Sequence, residues 1–420
     1  MIEELSGVRR VLMVNKFQYA KGGAELYMYG LARLLEQQGI AIGYFGMRHP
    51  RNVESSTARH YVSQVDFESP PPGAERLGVA ARAVYSIEAR RRMSQLLSAE
   101  PAFDIAHLHN VYHQLSPSIL APLHRAGMPV VMTVHDYKLV CPVYTLTSHG
   151  QMCERCVGGH FQNAVRLRCN RGSLAGSVLV AGESWLHRTL KLWEHGVDVF
   201  VTPSSYLRDK LIVGGYPAER VVAVPNFVDP ERFRASPEPG GHFLYLGRLS
   251  HEKGVETLIE AVAGTPMALR VAGEGPERER LEQMAAASGA DIEFVGHQTG
   301  DRLEQLVAGA RAVVVPSRWP ENCPLVVLEA MAVAKPLVAS RVGGIPELAH
   351  DGEQALLVEQ GDAAALRAAM LRLHESDDLT RRLGLAGRAR VESLFGPERH
   401  LKAVAAAYRQ ATRLRLAAAA

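Results

Sequence analysis

The sequence predicts an α/β protein made of two Rossmann-like domains, and three observations carry that expectation. Short apolar runs recur without the polar alternation of a half-solvated strand, as in "PVVMTVHD" and "ARAVVVPS". Helix-patterned segments such as "AELYMYGLARLLEQQG" and "ERERLEQMAAASG" separate most of these runs. The runs are too many for one comfortable doubly wound sheet, so they divide into two parallel sheets with helices on both faces.

In order, the first half offers "VRRVLMVN", "IAIGYFGM", "DIAHLHN", "PVVMTVHD" and "VDVFVTPS" as strands. The second half offers "HFLYLGRL", "ALRVAGEG", "IEFVGH", "ARAVVVPS", "PLVASRV" and "ALLVEQ". Between the halves, "PNFVDPERFRASPEPGGH" is rich in Pro and Gly and reads as loop. The expected division is 1–203 for the first domain, 204–397 for the second, and a last helix over 398–420. Ligands of such folds sit at the carboxyl ends of the strands, so two domains facing each other would bind between them, in a cleft.

Hydrophobic residues make up 47% of the 420 residues and charged residues 22%, an ordinary globular balance. A net charge of +3 gives no footprint for nucleic acid. No run approaches the roughly 18 apolar residues of a membrane span, and "MIEELSGVRRVLMVN" lacks a secretory cleavage pattern. A cytoplasmic protein is expected, with membrane contact confined to the periphery.

Candidate site residues follow the predicted strands. In "SRWPENCPLVVLEAMAVA", Pro324 suits a helix start, where a missing N–H costs nothing. The amides of Leu325 and Val326 then lack partners inside the helix and, with the dipole, suit a phosphate. Cys323 precedes them. Glu329 lies one turn deeper on the same face as Leu325, inside an otherwise apolar helix, and Glu321 lies in the loop before it. The plainer readings are a solvent-facing helix carboxylate and a solvated loop carboxylate. In "YLGRLSHEKGVETLIEAV", Arg248 and Lys253 stand where a helix begins, opposing its dipole, which makes sense if an anion lies between them. Gly22 and Gly23 join a strand to a helix and allow backbone close to a ligand. No G-x-G-x-x-G fingerprint is present. His135 ends the strand of "TVHDYKL" in the first domain, toward the expected cleft.

Together these residues resemble the retaining glycosyltransferases of family 4, which have the GT-B fold. The resemblance runs over nearly the whole chain. It rests on the spacing of Glu321 and Glu329, on Arg248 and Lys253 in "GRLSHEKG", on "GGAE" at 22–25, on His135, and on "VPNFVD" opening the second domain. It implies that Arg248 and Lys253 hold a donor diphosphate, that Glu329 binds the ribose, and that Glu321 and His135 contact the donor sugar. It also implies that the last helix crosses back onto the first domain. Two positions depart from the usual pattern: Pro324 stands where glycine is frequent, and Cys323 stands where the family often has an aromatic or small residue. The implied reaction moves a sugar from a UDP- or GDP-sugar to an acceptor hydroxyl with retention, with the departing phosphate oxygen taking the acceptor proton. No cofactor is needed for catalysis, and no D-x-D suggests a metal-bound diphosphate. The acceptor would be a glycan, a lipid-linked sugar or a small molecule. Rival readings are a nucleotide-sugar epimerase on the same fold, a non-catalytic glycosyltransferase-like binding protein, and a zinc-ribbon nucleic-acid binder resting on cysteines alone.

Two further features lie outside that site. The segment "LAGSVLVAGESWLHRTLKLWEHG" carries Trp185, Trp193, Arg188 and Lys191, which fits either peripheral membrane contact or packing against its own domain. Cys141, Cys153, Cys156 and Cys169 fall in an insertion at 141–170, with one C-x2-C knuckle. A structural zinc is expected there, with His149 or His160 as substitute ligands, since little apolar sequence lies between Ser148 and Asn170. Disulfides and reduced thiols are the alternatives.

Overall fold

Strand β1, Arg10–Val14, is buried along four of its five residues and has a parallel neighbour on each side. Only a strand sandwiched between helix layers can be so uniformly apolar. The structure, a computed structural model, describes residues 5–66 and 75–419. In the first sheet β1 is joined by β2 (Ala41–Phe45), β3 (Ile105–Leu108) and β4 (Val130–Thr133). A two-stranded antiparallel hairpin follows, β5 (Thr147–Ser148) with β6 (Gln151–Met152). The sheet resumes with β7 (Val199–Thr202) and β8 (Val221–Ala223). All its pairs are parallel, in the order β2-β1-β3-β4-β7-β8. The order reverses between β1 and β3, and the loops after those strands are where such a sheet holds ligands.

The second sheet comprises β9 (His242–Leu246), β10 (Ala268–Ala272), β11 (Ile292–Gly296), β12 (Ala310–Val315), β13 (Leu337–Ser340) and β14 (Ala355–Val358). It too is wholly parallel, ordered β11-β10-β9-β12-β13-β14, and its switch point lies between β9 and β12. Alternate residues of these strands serve two cores. Leu244, Val313 and Ala339 join the helix residues Val327, Leu328 and Met331 on one face, while Tyr245, Val314 and Val338 look into the other.

All eleven expected strands are present. The sheet strand that the sequence does not announce is β8, three residues inside "RVVAVPN" and too short to show a pattern. It moves a boundary. One unit consists of Met1–Thr145, Glu154–Val224 and His400–Ala420, and the other of Leu146–Cys153 and Pro225–Arg399. The division expected after 203 therefore falls after Val224, because β8 pairs with β7 and completes the first sheet.

The last helix, Pro397–Ala419, belongs to the first unit from His400 onward. Its buried stripe of Leu401, Val404, Ala405, Tyr408 and Ala411 follows helical periodicity. Polar contacts fix its register. Tyr27 Oη meets His400 Nε2 at 3.1 Å, Tyr408 Oη meets His107 Nδ1 at 2.9 Å, and Arg415 pairs with the buried Asp198 at 2.8 Å.

The cysteine insertion does not gather the metal ligands expected of it. Among the described residues, no three His, Cys, Asp or Glu side chains come together as a metal site. The insertion has an apolar core after all: Cys156 packs with Phe161, Ala164 and Ala181, and Val165 and Cys169 lie against them. Cys141 is buried, and Cys153 lies in the Leu146–Cys153 segment of the second unit. Hydrophobic cohesion gives this insertion an ordering of its own.

Candidate functional site

In the second unit the candidate residues follow the two strands that flank the switch point, and of them Lys253 and Glu321 are in contact. Strand β9 leads into Arg248 and Lys253, and β12 leads into Ser317 and Glu321. Glycines let the two loops touch. Gly254 has φ +71°, and a Cβ there would stand 2.0 Å from the Pro316 carbonyl oxygen. The amide of Arg318 donates to the Glu252 carbonyl at 2.8 Å, and the Arg318 guanidinium bonds Thr257. Tyr245 Oη donates to the Arg248 carbonyl at 2.8 Å and sets the start of the cationic loop.

Glu321 is buried, yet charged. Lys253 Nζ donates to its Oε1 at 2.7 Å and Ser317 Oγ donates to the same oxygen at 2.6 Å. Burial by itself would raise the carboxyl, but the Lys253 ammonium and these hydrogen bonds outweigh it and hold Glu321 below the usual carboxylate range. Its backbone is clamped from the other side. Gly344 N donates to the Glu321 carbonyl at 2.6 Å, and a Cβ on Gly343, at φ +55°, would lie 2.1 Å from that oxygen. Arg248 is exposed, and among the described residues no carboxylate pairs with it.

The helix after this loop runs Leu325–Ala332, with Pro324 as its N-cap, one position earlier than expected. The Pro324 carbonyl accepts from Val327 N at 3.1 Å, which leaves the Leu325 and Val326 amides as the first two of the helix, without partners inside it. Val327, Leu328, Ala330, Met331 and Ala332 are buried. Glu329 is half-buried, and no cation answers it among the described residues, so burial pushes its carboxyl up. Cys323 turns inward: its side chain is part of the core, and burial pushes its thiol up to about 12. A side-chain role for Cys323 in donor binding is therefore corrected. The Cys323 carbonyl accepts from Asn226 Nδ2 at 2.9 Å, and the buried Oδ1 of Asn226 has no partner among the described residues.

In the first unit the other candidates follow β1 and β4. Gly22 caps helix Gly23–Gln37 with extended backbone, and both glycines are exposed. The loop before them is held by Asn15, whose Nδ2 donates to the buried Glu25 at 3.1 Å and whose Oδ1 accepts from Asn110 N at 3.0 Å. His135 is one of three stacked imidazoles. His109 lies between His107 and His135, with ring centroids 4.6 and 5.3 Å away, and its Nδ1 meets His135 Nε2 at 3.0 Å. Burial drives His107 and His135 to about 3, so both are neutral. The Nε2 of His109 is buried and has no partner among the described residues. A bare acceptor is tolerated there better than an N–H, so His109 carries its proton on Nδ1 and donates to His135, whose own proton then sits on Nδ1.

Sequence reasoning missed Ser317, Gly343, Asn226, Asn15 and His109. The only signals were Gly343–Gly344 after a strand and the alternation "HLHN" on β3.

A family model described as Glycosyltransferase Family 4 matches residues 21–232, and one described as Glycosyl transferases group 1 matches residues 230–390. The chain belongs to glycosyltransferase family 4. Glycogen synthase of Mycobacterium tuberculosis is 32% identical over 306 residues, 69% of this chain and 70% of the relative. Alpha-maltose-1-phosphate synthase of Mycolicibacterium smegmatis is 27% identical over 71% of this chain and 76% of its own length. Among solved structures, sucrose-phosphate synthase from Thermosynechococcus elongatus matches with TM-score 0.69 at 21% identity, over 98% of this chain and 100% of that one. Anabaena HepE in complex with UDP-glucose matches with TM-score 0.62 at 18% identity, over 96% and 98%. These glycosyltransferase neighbours share the GT-B architecture of two parallel α/β sheets. The family 4 chain described here is therefore a glycosyltransferase, and among its described residues no helix is long and apolar enough to cross a membrane.

Proposed function

We propose that this glycosyltransferase moves a hexosyl group from a UDP- or GDP-sugar to an acceptor hydroxyl with retention, in the synthesis of a polysaccharide, glycolipid or other glycoconjugate. The observation that carries the reading is the Lys253–Glu321 ion pair at the switch point of the second sheet, beside an Arg248 that faces solvent. Lys has three donors and Glu321 Oε1 takes one, so Lys253 retains donors for phosphate while staying fixed. Arg248 supplies a planar fork for the same diphosphate, and the Leu325 and Val326 amides face the anion from the helix start. Glu329 then accepts hydrogen bonds from a ribose, which repays the cost of keeping a carboxylate in an apolar helix. Transfer breaks the bond from the anomeric carbon to the phosphate oxygen and forms one to the acceptor oxygen. The acceptor proton passes to the departing phosphate oxygen. The protein's share is electrostatic, stabilising charge that develops on the diphosphate. His135 is assigned to the donor sugar, as the family resemblance implies. Binding of UDP-glucose by Anabaena HepE supports a donor of this class.

The test is a panel of nucleotide-sugars scored by thermal stabilisation, then by transfer to added acceptors. A matching donor raises Tm by an amount that grows with the logarithm of its concentration over Kd. If no UDP- or GDP-sugar raises Tm and none is consumed, the reading fails. Epimerised donor formed without any acceptor would replace it with the epimerase reading.

A further inference from the structure

Helix Leu174–Thr189 is amphipathic in the reverse sense. Its buried residues are Ser177, Ala181, Glu183, Ser184 and His187, small or polar. Its exposed face is the apolar one. Leu174 and Val178 are each 52% exposed and Trp185 60%, and their spacing puts them on one line of the helix. Leu179, Leu186 and the C-cap Leu190 form a second exposed line beside it. A helix in water normally turns such residues inward.

The inward polar groups have partners that fix this orientation. Glu183 is paired with the buried Lys138 at 3.0 Å, His187 Nε2 meets the Val84 carbonyl at 2.8 Å, and Ser177 Oγ accepts from Asn170 N at 3.1 Å. Rotating the helix to hide Trp185 would turn these groups away from their partners and strand the Lys138 charge. The apolar face is therefore held outward by the fold itself.

The exposed charges in the sequence flanking the helix have one sign. Between 164 and 191 the only acid is Glu183, which is buried. Arg166, Arg168 and Arg171 are exposed before the helix and Lys191 after it, and among the described residues none of the four has an ion-pair partner. Trp193 and Arg188, expected from the sequence to share this face, do not. Trp193 is buried against Tyr112, and Arg188 is tied to Glu194 at 2.6 Å.

We propose that this face, Leu174, Val178, Leu179, Trp185, Leu186 and Leu190 framed by Arg166, Arg168, Arg171 and Lys191, docks the protein on an anionic lipid surface. Apolar side chains enter the headgroup boundary while the flanking cations meet lipid phosphates, and tryptophan is at home at that depth. A second copy of the chain is a poorer occupant. A two-fold contact through this face would bring the same cations of both copies together.

The test uses the purified full chain, with no donor or acceptor, so its outcome is independent of the sugar-transfer reading. Flotation is run with phosphatidylcholine vesicles and with vesicles that also contain phosphatidylglycerol, at low and high salt. The protein should float with the anionic vesicles at low salt and be released by salt. Replacing two exposed residues, Val178→Ser with Trp185→Ser, should lower partition at least about tenfold with unchanged circular dichroism. Replacing Arg166, Arg168 and Arg171 by Gln should abolish the preference for anionic lipid. A protein that stays in the soluble fraction at low salt overturns the proposal. So does flotation unchanged by the Val178→Ser and Trp185→Ser pair, or a dimer in sedimentation that the pair dissolves while vesicles are ignored.

Discussion

Glu321 and Glu329 are eight residues apart and stand in opposite electrostatic situations. Glu321 is answered by Lys253 and Ser317, and Glu329 by no cation among the described residues. The carboxyl of Glu329 is raised by burial, so the folded state holds its proton more tightly than the unfolded state does. Its contribution to stability is thus fully present at acid pH and is lost as pH rises through the carboxylate range. Glu329→Gln should therefore be at least as stable as the parent at neutral pH in urea unfolding, while raising the donor KM. Glu321→Gln should instead lower kcat if, as proposed, Glu321 acts where the sugar reacts. Arg248 and Lys253 separate in the same way. Either alanine variant should cut turnover at least about tenfold, roughly 1.4 kcal/mol of barrier. Only Lys253→Ala should also lower the unfolding midpoint, because it leaves the buried Glu321 without its cation. Equal stability of the two variants, measured beside turnover, would show that the ion pair is not what holds the loop.

At the scale of elements, the site depends on backbone contacts that side chains would block. Gly343→Ala puts a Cβ against the Glu321 carbonyl at a positive φ and should cost about 2 kcal/mol in chemical unfolding. It should also depress kcat, since the loop bearing Glu321 must shift. A variant with parental stability and activity would mean that this clamp does not position the carboxylate. The same contacts explain what could be read in the sequence. The eleven long strands announce themselves because they are apolar runs between helix layers, and Arg248, Lys253, Glu321 and Glu329 stand out as charges beside such runs. Gly343 gives no such signal, because what it avoids is a carbonyl 22 residues earlier. Asn226 and Ser317 are polar residues of common type in loops, and their value lies only in what they touch. The four cysteines were ambiguous in the sequence, because their spacing does not tell a metal cluster from part of a small apolar core. Phe161, Ala164 and Val165 made a small core where a metal was expected.

For the whole molecule, the neutral, largely buried imidazoles set an acid limit. His107 and His135 are held at about 3 by burial, against an unfolded value near 6.5, and His109 is held well below it. Between those limits the unfolded chain binds protons that the folded chain refuses, so stability is full above about 6.5 and falls as pH drops toward 3. Each such histidine adds a slope of ~1.4 kcal/mol per pH unit within that window. The urea midpoint should decline steadily from pH 7 to pH 5, and His135→Gln should flatten the decline. An unchanged midpoint over that range would mean that the stack is hydrated and titrates normally.

The helix that begins at Pro397 also has a meaning for synthesis. The first unit needs His400, Tyr408 and Arg415 to complete the contacts of Tyr27, His107 and Asp198. Those partners leave the ribosome only after every residue of the second unit has done so. The usual order, in which the amino-terminal domain finishes first, is reversed at the last step. A nascent chain arrested at residue 399 holds all of the second unit's residues and a first unit still open along its final helix.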